Sequence, residues 1–162
     1  MKKYLFLIFS LFFVSIVSCD NENYVCNIDD ESSKETETLR SIYLHKIYGR
    51  WTKVDSSLYN YVEEHYNFKS DGTLEGRILL KSRDSVVING KKELTDWKDI
   101  VNKDYTGDWS LLYHSSSKKD VLRYHLIGFA SGDADFFNAN DSLLEISSLC
   151  VTNKVLKMHR EL

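Results

Sequence analysis

Five histidines and twenty-four carboxylates are the side chains of this 162-residue chain that could carry acid–base or metal chemistry. Their spacing argues against it. His45, His65, His114, His125 and His159 form neither an HExxH helix nor an HxH strand pair, and no cysteine stands at zinc spacing from them. Glu63 and Glu64 are neighbours in an alternating segment, so they point to opposite faces and cannot grip one substrate as an acid and a base. The acidic run from Asp133 to Asp141 is rich in oxygen donors. An EF-hand loop would need an oxygen ligand where Phe137 stands and a glycine next, so a loop with Asx-capped turns is the better reading. GxSxG, Walker and GxGxxG glycine patterns do not occur. No catalytic centre, metal or cofactor is therefore expected, and the chain reads as a non-enzyme.

The three cysteines carry more information. Lys2 and Lys3 precede fourteen nearly all-apolar residues, Tyr4 to Val17, a run too short to cross a bilayer comfortably but suited to the apolar region of a signal peptide. Ser18-Cys19 ends it. A small residue directly before Cys resembles a bacterial lipobox, which implies that the Cys19 thiol takes a diacylglycerol and that cleavage makes it the new N-terminus. Residues 1–18 are thus read as a lipoprotein signal peptide, with the outer membrane as the expected address. Acids soon after Cys19 resemble the surface-export signal of Bacteroidetes-type lipoproteins, whereas Asp20 directly after it resembles the enteric-type inner-membrane retention signal. Asp84-Ser85-Val86 and Asp141-Ser142-Leu143 resemble the O-glycosylation sequon of Bacteroidetes exported proteins. Cys26 and Cys150 then form an even pair in an oxidising compartment, open either to a disulfide or to two free thiols.

Charge narrows the partners. Without Lys2 and Lys3, the 19 remaining basic residues against 24 acidic ones leave a formal charge of −5. Lys91-Lys92 and Lys118-Lys119 are isolated doublets each followed by an acid, so no basic stripe exists to displace counterions from nucleic acid. Residues 19–37 are polar and acidic, too poor in apolar surface to offset ordering, and read as a flexible tether.

The elements that must carry any site begin where the tether ends. Leu39, Ile42, Tyr43, Lys46 and Ile47 recur at intervals of three and four, which predicts a short helix over 38–48 stopped by Gly49. From Trp51 the period changes to two. Strands are predicted at 51–55, 61–69, 74–80, 86–88, 105–113, 121–129, 142–149 and 154–160, with an ambiguous stretch at 96–102. Ser70-Asp71-Gly72 and Asn89-Gly90 are hairpin turns, and 115–120 and 131–135 read as turns or loops. Eight or nine short strands in meander order, without crossover helices, predict an all-β, antiparallel up-and-down barrel over residues 38–162 preceded by a short helix.

Gly49-x-Trp51 after the helix, Tyr66-x-Phe68-x-x-Asp71-Gly72 and Gly107-x-Trp109, in this order, resemble the lipocalin-like lipoproteins of Bacteroidetes. The resemblance implies that Trp51 lies across the closed end of a barrel with an arginine of the last strand, Arg160, stacked on it. Alternation then offers Tyr66, Phe68, Ile78, Trp109, Leu111, Tyr124, Leu126 and Ile146 as lumen-facing candidates for ligand contact, several of them plain core. The expected function is binding of a small apolar or amphipathic ligand by a membrane-anchored barrel. The alternative is a surface module with a filled barrel that contacts a protein or glycan.

Overall fold

The computed structural model describes residues 32–147 and 154–161. The segments expected to be a signal peptide and a tether, up to residue 31, and with them Cys19 and Cys26, as well as Cys150, lie outside the described residues. One helix, α1 (Lys34–Ile47), precedes ten strands: β1 (Gly49–Ser56), β2 (Asn60–Phe68), β3 (Thr73–Ser82), β4 (Ser85–Ile88), β5 (Lys91–Leu94), β6 (Lys98–His114), β7 (Lys119–Leu126), β8 (Ala130–Ala139), β9 (Leu143–Ser147) and β10 (Val155–Arg160). Eight of them close an antiparallel barrel in the order β1-β10-β9-β8-β7-β6-β3-β2, and β4-β5 form a separate two-stranded ribbon. Every barrel neighbour is a chain neighbour except that the ribbon is inserted between β3 and β6 and that β1 meets β10 to close the ring. Closure removes the unpaired edges that an open sheet would expose.

The helix starts four residues earlier than its periodicity indicates, so Lys34–Glu37 belong to the folded unit rather than to the tether. Ser33 is the reason. Its side chain accepts from the Thr36 amide at 3.1 Å, and Glu35 and Glu37 stand in the first turn, where the positive end of the helix dipole favours acids. Thr36, buried, in turn accepts from the Tyr113 amide at 2.8 Å near the end of β6. Leu39 and Ile47 enter the core and Tyr43 packs edge-on to Phe136 at 5.0 Å, so α1 covers the barrel end at which β1 begins. Ile42 faces solvent.

An ambiguous stretch and one read as a loop are both strand. Lys98–Asn102 of the ambiguous stretch begin β6, which pairs with β3 through a bulge at Leu80/Lys81. Residues 131–139, read as loop, belong to β8. Its apolar signal is thin because its inward positions include Ala134 and Ala139, while its acids are solvent-face ion pairs: Asp133 receives Arg123 of β7 through two bonds of 2.7 and 2.8 Å, and Asp135 receives Lys119 at 2.6 Å. A bulge between Phe136 and Asn138 turns Phe137 outward and breaks the alternation that would have marked the strand. Conversely β7 ends at Leu126, and Ile127-Gly128-Phe129 make the turn. Asn89 and Gly90 both have positive φ, 50° and 77°, as a type I′ turn requires.

The half of the barrel beneath α1 is filled. Trp51, Phe68, Leu74, Leu111, Leu122, Leu144 and Ile146 are fully buried there with Met158. Among the described residues the core runs from Leu39 to Met158 and is shared by the helix and the barrel.

Candidate functional site

At the closed end three consecutive carbonyls at the helix terminus lack intrahelical partners, and two side chains supply them. Trp51 Nε1 donates to Ile47 O at 2.7 Å, and Arg160 donates from Nη1 to Tyr48 O at 2.7 Å and from Nη2 to Lys46 O. Register pairs Trp51 with Arg160, whose guanidinium carbon lies 4.4 Å from the centre of the indole. Gly49 is required beside them: its φ is +111°, and a Cβ there would lie 2.9 Å from Arg160 Nη1. This end is a structural lock with no space for a ligand.

The opposite end differs. Strands β1, β2 and β3 carry an inward row each, and register aligns them: Trp51 with Tyr66 and Gly76, Lys53 with Glu64 and Ile78, Asp55 with Val62 and Leu80. Above the filled half these rows, with Val101, Tyr105, Gly128 and Phe129, line a cavity of about 300 Å³. That size is at the lower bound of small-molecule sites, about 300–1,000 Å³. Its walls are apolar and one side is charged. Lys53 Nζ donates to Glu64 Oε1 at 2.9 Å and lies 3.1 Å from Asp55 Oδ2, while Tyr66 donates its hydroxyl to Glu64 Oε2 at 2.8 Å. Lys53 and Glu64 are mostly buried and Asp55 is half-exposed, joined from the rim by Lys154 at 3.4 Å.

Burial would by itself lower the Lys53 pKa, but attraction and hydrogen bonding to Glu64, then Asp55, outweigh it and raise the pKa. The hydrogen bond from Lys53 pulls Asp55 below the usual carboxylate range despite some desolvation. Burial, reinforced by the Glu64 charge, pushes Tyr66 well above its ordinary value and Tyr124 up as well. Lys53 therefore stays charged, Asp55 ionised and both phenols protonated throughout the physiological range.

A larger, shallow groove of about 640 Å³ crosses the outer face of β1, β2, β3 and β6. Its central imidazole, His65, is already engaged on both sides, with Nε2 3.0 Å from Glu63 and Nδ1 on Glu161, which Thr52 also donates to. No cluster of metal-ligating side chains occurs among the described residues. The hydrogen bonds from Thr52 and His65 hold the Glu161 carboxyl low.

No family model, curated protein or solved structure matches this chain. The site is therefore judged on geometry alone. All eight lumen candidates are buried, but they divide. Ile78 lines the open-end cavity, and Tyr66 reaches its charged side through its hydroxyl. Phe68 and Trp109 pack edge to face at 5.2 Å, and Trp109 Nε1 donates to Lys69 O at 3.0 Å. With Leu111, Leu126 and Ile146 they are packing in the core, and Tyr124 stands edge-on to Tyr66 at 6.3 Å. Lys53, Asp55 and Glu64 escaped the candidate set because they are charged, and Val101 because it lies in the ambiguous stretch, whereas Val62, Leu80, Tyr105, Gly128 and Phe129 lie in segments read as strands but were not among the candidates. Parity could have found them: counting on by two from Trp51 reaches Lys53 and Asp55, and back by two from Tyr66 reaches Glu64 and Val62. Gly76 and Gly107 are packing glycines. A Cβ on Gly107 would fall 1.6 Å from His125 O, and one on Gly76 would fall 3.0 Å from Leu126 Cδ1.

Proposed function

We propose that this chain is a membrane-anchored, lipocalin-like lipoprotein that takes up a small amphipathic ligand through the open end of its barrel. The observation that carries the reading is the cavity of about 300 Å³ above a filled half-barrel, with apolar walls and a buried Lys53–Glu64 pair on one side. The anchor rests on the apolar run ending at Cys19. Thr36, near the start of α1, bonds to the barrel's closed end, so the first described residues enter the fold at the end opposite the mouth. A barrel with a filled interior would have favoured a pure interaction module. That second reading keeps one specific support, the exposed apolar side chains gathered around the mouth, among them Leu58, Val87, Ile88, Trp97 and Ile127.

Native mass spectrometry of the protein extracted from its own membrane tests the binding reading. A small molecule should co-purify with the wild type and be lost with Leu80→Trp, which fills the cavity. Empty protein from several growth conditions, or a species retained by Leu80→Trp, would contradict it. Metabolic palmitate labelling should disappear in Cys19→Ala, and persistent labelling would remove the anchor.

A further inference from the structure

We infer that the open-end cavity selects an uncharged amphiphile, with a hydroxyl or amide as its polar end, over a carboxylate or an amine on the same apolar body. This rests on the ligand-binding reading above and narrows it to a chemical class. Among the described residues, the mostly buried charges on the cavity wall, Lys53 and Glu64, cancel as a pair at 2.9 Å. Asp55, 3.1 Å from Lys53, and Lys154, which reaches Asp55 from the rim at 3.4 Å, are about half-exposed. Lys103, cross-strand from Ile78, is exposed and stands 4.9 Å from the centre of the Tyr105 ring, so water screens it as it does the rim charges.

An ionised ligand head would add an uncompensated charge beside this balanced, mostly buried Lys53–Glu64 pair, and it would face one member of like sign. Burying an unpaired charge is far more costly than burying a hydrogen-bonded neutral group. A hydroxyl or amide meets the same atoms without that cost. Lys53 has three ammonium hydrogens and directs two to carboxylates, so one remains to donate. Each Glu64 oxygen accepts one bond, from Lys53 and Tyr66, and keeps a further lone pair to accept. One head that both accepts and donates can use both. The apolar walls, Val62, Ile78, Leu80, Val101 and Phe129, take the tail. At about 30 Å³ per water-sized volume the space suits a ligand on the order of ten non-hydrogen atoms.

Isothermal titration of residues 20–162 with 1-octanol, octanoate and octylammonium at pH 7 tests the inference. Octanol should bind at least about tenfold more tightly than either ion. Glu64→Gln, and independently Asp55→Asn nearer the surface, should move the preference toward octanoate, whereas Lys53→Met should move it toward octylammonium. Either ion binding the wild type as tightly as octanol, or folded variants with the wild-type order, would overturn the inference while leaving the binding reading in place. Absence of binding by all three would overturn both.

Discussion

Arg160 shows how one side chain can hold two elements in register. Its guanidinium covers the Trp51 indole and donates to two carbonyls at the end of α1, where a positive charge also complements the helix dipole. Trp51→Ala should cost about 3–5 kcal/mol, because the fully buried indole leaves a cavity and Ile47 O loses its donor. Arg160→Met should cost less, and chemical denaturation of the two single variants and the double variant should show a coupling of at least about 0.5 kcal/mol. Additive losses would contradict the lock. The open end carries a pH signature. The folded pKa values of Lys53 and Tyr66 lie above their ordinary values of 10.5 and 10.0. A raised folded value contributes stability that is complete below the unfolded pKa and lost as pH rises through the folded one. The urea midpoint should therefore fall above pH 10, and the phenolate absorbance of Tyr66 and Tyr124 should emerge only with unfolding. A midpoint flat to pH 11.5 would be inconsistent with the buried cluster.

At the scale of elements, the legible parts of the fold are those where pattern and local chemistry agree. The β2-β3 hairpin is such a case: Tyr66, Phe68 and Leu74 face the core, and Asp71 Oδ1 accepts from the Thr73 amide at 2.9 Å across a Gly72 of positive φ. The helix start was obscured because Lys34, Glu35 and Glu37 look like tether, although Ser33 is a good cap for them. Strand β8 was obscured because the residues that mark a loop by composition are strand residues here: Asp133 and Asp135 serve the solvent face and partners on β7, and Gly132 lies on the inward row opposite the buried Tyr124. For the same reason the cavity's charged side was illegible: Lys53 and Glu64 satisfy each other, so an inward row tolerates them, but composition alone assigns them to water. Ser33→Ala should lower stability by about 1 kcal/mol through loss of the cap, read as a lower thermal midpoint. An unchanged midpoint would mean that Thr36 and Arg160 hold the helix without it.

As a whole molecule, the barrel is divided along its axis. One half is plugged by α1 and packed with Trp51, Phe68, Leu111 and Leu122, and the other widens into a cavity lined by β1, β2, β3, β6 and the turn after β7. On the proposed reading stability and binding fall to opposite ends, so substitutions at the mouth should alter ligand uptake with little effect on the closed-end core. The ribbon is tied to the β1-β2 turn by Arg83, which donates to Leu58 O at 2.8 Å and stands 4.3 Å from the centre of the Trp97 ring. It is an attached appendage of the mouth, outside the barrel's hydrogen-bonded ring. The most direct measurement of the central claim is methyl NMR of residues 20–162 titrated with 1-octanol. The methyls of Val62, Ile78, Leu80 and Val101 should shift together and saturate, while those of Leu122 and Leu144 in the filled half and Leu79 in the outer groove stay in place. No saturable shift at the mouth, or a response centred on Leu79, would contradict it.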